Sequence, residues 1–136
     1  MSVRPQHHAV LSTPVAPLSA ARRPTPGPIA VLPNPKDVFV DAVRAGGGTV
    51  AGLSSETRGV IWLSSRDAAE LTNVLADNPQ IEWVQLPWAG VDGFSAVLPP
   101  YAGKTLPLWT SAKGAYSQPV AEHALALTLA LLREFP

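Results

Sequence analysis

The chain has 136 residues, 46% of them hydrophobic, with ten basic and ten acidic residues and a formal net charge of zero. That is one domain's worth of sequence with enough apolar residues for a packed core. The balanced charge argues against a nucleic-acid surface, which needs a basic excess to displace counterions. No cysteine is present, which excludes disulfides, zinc thiolate sites and thiol catalysis and fits a cytoplasmic protein.

Residues 1–28 carry Arg4, Arg22 and Arg23 and no acid, and are broken by Pro5, Pro14, Pro17, Pro24, Pro26 and Pro28. Proline fixes φ and removes a donor, so neither a helix nor a strand runs through. The stretch is not a secretory signal; it reads as a disordered, proline-rich extension with polyproline character. A docking tail is its functional alternative. The pair His7-His8 sits in this extension and has no rigid frame to set a metal geometry.

From Ile29 the pattern changes. Ile29–Pro33 reads as a buried strand, and Asn34-Pro35 as a helix start with Asn34 as cap. Phe39, Ala42 and Val43 share a helical face, and Gly46-Gly-Gly48 ends that helix. Thr49–Leu53 and Gly59–Ser64 read as the second and third strands. Asp67-Ala-Ala-Glu70 has the form of a capping box, and Ala68, Leu71, Val74 and Leu75 follow on one face. Glu82–Trp88 is the fourth expected strand and Leu106–Thr110 the fifth, with ends made irregular by Pro87 and Pro107. Strands alternating with helices predict an α/β fold, a doubly wound parallel five-stranded sheet in the flavodoxin-like order 2-1-3-4-5. Ligands of such sheets sit beyond the carboxyl ends of the strands.

The last helix, about 118–134, has only Glu122, His123 and Thr128 as polar residues between Val120 and Leu132. A helix apolar nearly all round needs cover on most sides. It is too short for a membrane span of roughly 20 apolar residues, so a partner subunit or a second domain is the natural cover. Glu122 and His123 are neighbours and point about 100° apart on a helix, so they make no catalytic pair.

The turn Trp88-Ala-Gly-Val-Asp92 directly follows a strand. Small residues there leave successive N–H groups open to an anion such as a carboxylate, although a plain strand-to-helix turn uses the same residues. Ser64 and Ser65 end the third strand, where they either touch a ligand or cap the helix at 67. Lys113 and Tyr116 precede the last helix as isolated loop residues. Other functions of this architecture lack their residues. The loop after the first strand, Pro33-Asn-Pro-Lys36, is no flavin phosphate loop. Leu63-Ser-Ser65 has no receiver aspartate, and Gly46-Gly-Gly48 has neither the place nor the spacing of G-x-G-x-x-G.

Trp83-Val-Gln-Leu-Pro-Trp-Ala-Gly-Val-Asp92 followed by Ser117-Gln-Pro-Val-Ala-Glu-His-Ala-Leu-Ala-Leu-Thr-Leu-Ala-Leu-Leu-Arg133 resembles the substrate-binding domain of D-isomer-specific 2-hydroxyacid dehydrogenases. The resemblance covers roughly residues 29–135. It implies that the backbone of Ala89, Gly90 and Val91 binds the substrate carboxylate and that Ser64 and Ser65 approach the substrate. It also implies that Ser117, Val120, Ala121, Glu122 and Arg133 belong to a hinge and dimer-interface helix. Many members have an asparagine and a proline before the glycine at 114, where this chain has Ser111-Ala-Lys113. The family's glycine-rich cofactor loop and its catalytic arginine, glutamate and histidine lie beyond position 136, and His123 does not replace them.

The expected organisation is a disordered extension over 1–28, a flavodoxin-like substrate-binding domain over 29–117 and a hinge or dimerisation helix over 118–136. That helix leads to an absent NAD-binding domain. The expected function is the substrate-binding part of an NAD(P)-dependent oxidoreductase acting on D-2-hydroxy acids, as a truncated chain inactive alone, with no catalytic residue and no metal of its own. NAD or NADP would bind the whole enzyme and not this chain. The expected partners are a 2-hydroxy or 2-keto acid and a second copy in a homodimer, with no nucleic acid and no membrane. The alternative is a non-catalytic, standalone binding or dimerisation module.

Overall fold

The computed structural model describes residues 17–134. The first sixteen residues of the expected extension, His7-His8 among them, lie outside the described residues.

Four parallel strands form one sheet in the order β1-β2-β3-β4: β1 (Ile29–Leu32), β2 (Gly59–Trp62), β3 (Trp83–Gln85) and β4 (Leu108–Thr110). Three α-helices accompany them among the described residues: α1 (Asp37–Ala45), α2 (Ala68–Asp77) and α3 (Ser117–Leu132). Among the described residues the sheet therefore has four strands and not the expected five. The expected strand at 49–53 shrinks to one bridge, Val50 to Ile29, on the flank of β1 away from β2. Two backbone bonds hold it, Ile29 N–H to the Thr49 carbonyl at 2.8 Å and Ala51 N–H to the Ile29 carbonyl at 3.1 Å. Residues 51–56 are exposed, so no apolar burial rewards longer pairing, and Gly52 raises its entropic cost.

Partners directly opposite in the register point to the same side of the sheet. One side carries Ala30, Val60, Trp62 and Val84, which with Leu86 form the core against Leu71 and Leu75 of α2 and the buried Ile81, Phe94 and Val97. The other side carries Ile29 and Val31, Gly59 and Ile61, Trp83 and Gln85, then Leu108 and Thr110. There Val31 and Gly59 are buried and the other six side chains are half-exposed.

The helix starts differ from expectation. α1 begins at Asp37 with Lys36 as its cap residue, not at Asn34-Pro35, and no side chain caps it. Asp67 stands at the cap position of α2 but makes no capping bond. Its carboxylate instead accepts from the Ser64 hydroxyl, which removes it from the capping box. The glycines after α1 behave as expected: Gly47 takes φ +84 and Gly48 N–H returns to the Val43 carbonyl at 2.9 Å. Asn78 closes α2 through its side-chain amide, 2.8 Å from the Val74 carbonyl.

The proline-rich approach to β1 is tied to the sheet. Thr25 N–H donates to the Glu82 carboxylate at 2.6 Å, and the Pro28 carbonyl accepts from Arg58 N–H at 2.9 Å. At the other end of the chain, α3 buries none of its residues. Among the described residues, no helix is long and apolar enough to cross a membrane.

Candidate functional site

Two loops meet at the carboxyl ends of the central strands. After β3, Leu86 is buried and its N–H donates to the Thr110 carbonyl at 2.8 Å, which fixes where the strand ends. The chain then surfaces: Trp88, Ala89, Gly90 and Val91 are exposed. It dives again at Phe94 and Val97, which are buried at 2% and 1% exposure and anchor the far side of the turn. The turn is pinned by Ala112 N–H to the Trp88 carbonyl at 3.1 Å and Phe94 N–H to the Val91 carbonyl at 2.9 Å. Between the pins, the N–H groups of Ala89, Gly90 and Val91 meet no acceptor among the described residues. Free, clustered amides on a held turn attract an anion. Gly90 lies in open space: an added Cβ would meet only the Asp92 carboxylate, at 3.4 Å.

The second loop follows β2. The Ser64 hydroxyl is already engaged, donating to Asp67 and accepting from Arg66 N–H at 3.2 Å. It holds the loop's shape and has no hydrogen left for a ligand. Ser65 is exposed. Its carbonyl lies 3.3 Å from where a Cβ of Gly93 would stand, so the two loops touch. Ser64 and Ser65 also border a cleft of about 280 Å³ with Asn34, Lys36 and Arg66. Among the described residues neither Lys36 nor Arg66 has a carboxylate partner, while the one carboxylate lining the cleft, Asp67, is held by Ser64. The cleft therefore has a positive excess. Sequence reasoning missed Lys36 and Arg66. The available signal was their position, one just past β1 and the other just past β2.

The hinge residues form no site with these loops. Ser117 begins α3, Val120 is 63% exposed, and Ala121 and Arg133 are also exposed. Glu122 accepts from the Gln118 side chain at 2.8 Å on the helix surface. His123 is exposed one residue further on. Lys113 and Tyr116 are both exposed in the segment before α3. Among the described residues no three His, Cys, Asp or Glu side chains are grouped to hold a metal ion. In comparisons with known proteins, no family model, curated protein or solved structure matches the chain.

Proposed function

We propose that this chain is the substrate-binding part of an NAD(P)-dependent oxidoreductase of D-2-hydroxy acids, built on a flavodoxin-like frame. The observation that carries the reading is the exposed turn after β3, with the Ala89, Gly90 and Val91 amides free of any acceptor among the described residues. A carboxylate seated there would accept from the backbone, and Gly90 lets it approach closely. The 2-hydroxy or 2-keto carbon would then lie toward the loop of Ser65 and Arg66. Ser64 serves as a positioning residue, since its hydroxyl is spent within its own loop. The nicotinamide would supply hydride transfer. This chain contributes binding and orientation and does not itself carry a proton donor for the reaction. The bare apolar surface of α3 favours a second reading, a non-catalytic module whose work is association.

The test is amide-resolved NMR of the chain titrated with oxalate, glyoxylate and D-lactate. Saturable shifts centred on Ala89, Gly90 and Val91 are expected, with chloride at matched ionic strength leaving them in place. Shifts elsewhere only, or equal shifts with chloride, would sink the reading. The purified 136-residue chain is expected to leave NADH unoxidised with glyoxylate, pyruvate or hydroxypyruvate. Turnover would move the chemistry into this chain.

A further inference from the structure

The strand connections part company at one place in the sheet. From β1 the chain runs through α1 to the bridge at Val50, on the flank away from β2. From β2 it runs through α2 to β3, on the other flank. Right-handed crossovers put those two helices on opposite sides of the sheet, so a crevice opens between the carboxyl ends of β1 and β2. In open α/β sheets such a switch point is where ligands bind. The cleft of about 280 Å³ lies there: it is lined by Pro33 just past β1, Leu63 just past β2, and the loop residues that follow each. Leu63 N–H donates to the Leu32 carbonyl at 2.6 Å and fixes the two strand ends side by side.

The side chains of this cleft are free to take an anion. Lys36 and Arg66 bring two cations against the single carboxylate of Asp67, which the Ser64 hydroxyl already holds. Other cations of the chain are spent: Arg44 pairs with Asp41 at 3.6 Å, Arg58 donates to the Ser55 carbonyl at 2.9 Å, and Lys104 sits over the Tyr101 ring. Lys36 and Arg66 meet no such partner among the described residues, and the Asn34 side chain in the same cleft makes no hydrogen bond there either. Both cations stand on backbone that is already held. Arg66 N–H donates to the Ser64 hydroxyl at 3.2 Å, and the Lys36 carbonyl accepts from Phe39 and Val40 N–H at 3.0 and 3.2 Å. A ligand therefore orders side chains and no loop, which keeps the entropic cost of binding low. The donor set favours a phosphoryl group over a carboxylate. A guanidinium forks onto two phosphate oxygens, and an ammonium and a carboxamide remain for the third. We propose that this cleft is a subsite for a phosphoryl group, held by Lys36, Arg66 and Asn34. It uses none of the amides of Ala89, Gly90 and Val91, so it stands apart from the carboxylate reading. The two loops touch at Ser65 and Gly93, so the phosphoryl group either belongs to an acid seated on that turn or arrives as a separate ion.

The test is amide-resolved NMR of the 136-residue chain titrated with inorganic phosphate, with chloride at matched ionic strength as the control. Saturable shifts at Asn34, Lys36 and Arg66 are expected with phosphate alone. Lys36→Met and Arg66→Gln replace exposed, unpaired side chains, so both should keep the urea midpoint of the parent while each weakens phosphate by about tenfold or more. Phosphoglycolate and glycolate then separate the two sources. If the phosphoryl group belongs to the acid, phosphoglycolate should move the cleft and the Ala89–Val91 amides together and bind more tightly than phosphate or glycolate. If it arrives as a separate ion, phosphoglycolate should bind the cleft no better than phosphate. Both results support the subsite. Shifts that chloride reproduces, or phosphate binding that neither substitution weakens, would overturn it whatever the turn at 89–91 binds.

Discussion

Gly59 and Gly90 are indistinguishable as letters, and the structure uses them in opposite ways. At Gly59 a Cβ would stand 2.8 Å from Cε3 of the Trp83 ring. That ring is held by its bond to Thr110, so it cannot step aside without losing a hydrogen bond. Gly59→Ala should therefore destabilise the fold by about 1–3 kcal/mol, read as a lower midpoint in urea unfolding. An unchanged midpoint would mean that Trp83 is free to move. At Gly90 the space is open and an added Cβ meets no backbone. Gly90→Val should leave the urea midpoint unchanged and weaken oxalate binding by about tenfold or more, equivalent to about 1.4 kcal/mol, because its branches occupy the approach to the turn's amides. If the valine variant binds oxalate as well as the parent, the ligand does not sit on that turn. Gly90 stands out in the sequence by its place after a strand. It was silent on Gly59, because the demand comes from a ring on the neighbouring strand. Lys36 and Arg66 were overlooked for a related reason: they meet only after two loops, 30 residues apart in number, are set side by side on one sheet.

At the scale of elements, the long apolar runs were legible and their ends were not. Ile29–Leu32, Gly59–Trp62 and the helix at Ala68–Asp77 lie where apolar runs and spacing put them. The stretch at 49–53 failed as a strand because three of its five residues, Ala51, Gly52 and Leu53, are exposed beyond the bridge. β-pairing is won by packing on a face, which local sequence does not report. Asp67 failed as a capping side chain because Ser64 competes for the same carboxylate, and a residue three positions upstream is outside the motif as read. The opposite end of α2 has a cap that does form. Asn78→Ala removes the donor to the Val74 carbonyl and should cost about 0.5–1.5 kcal/mol. Hydrogen exchange should show it first in the last turn of α2. Uniform loss of protection across the sheet would mean instead that Asn78 supports the domain as a whole.

For the whole molecule, the periodicity of residues 118–134 already demanded a cover for α3, because a helix with leucines on every side cannot turn all of them away from water. The place of that cover was not legible. The single chain leaves α3 with no buried residue, so in a monomer the helix adds little to the stability of the domain and exposes apolar surface. If two copies supply each other's cover, folding is coupled to association, and stability must then follow mass action. Well above the dissociation constant, each tenfold rise in chain concentration should add about 1.4 kcal/mol of dimer stability, read as a rising thermal midpoint. Leu127→Glu should flatten that dependence and return the midpoint of the dilute parent chain. A parent whose midpoint is constant over a thousandfold range of concentration would place the cover of α3 somewhere other than a second copy.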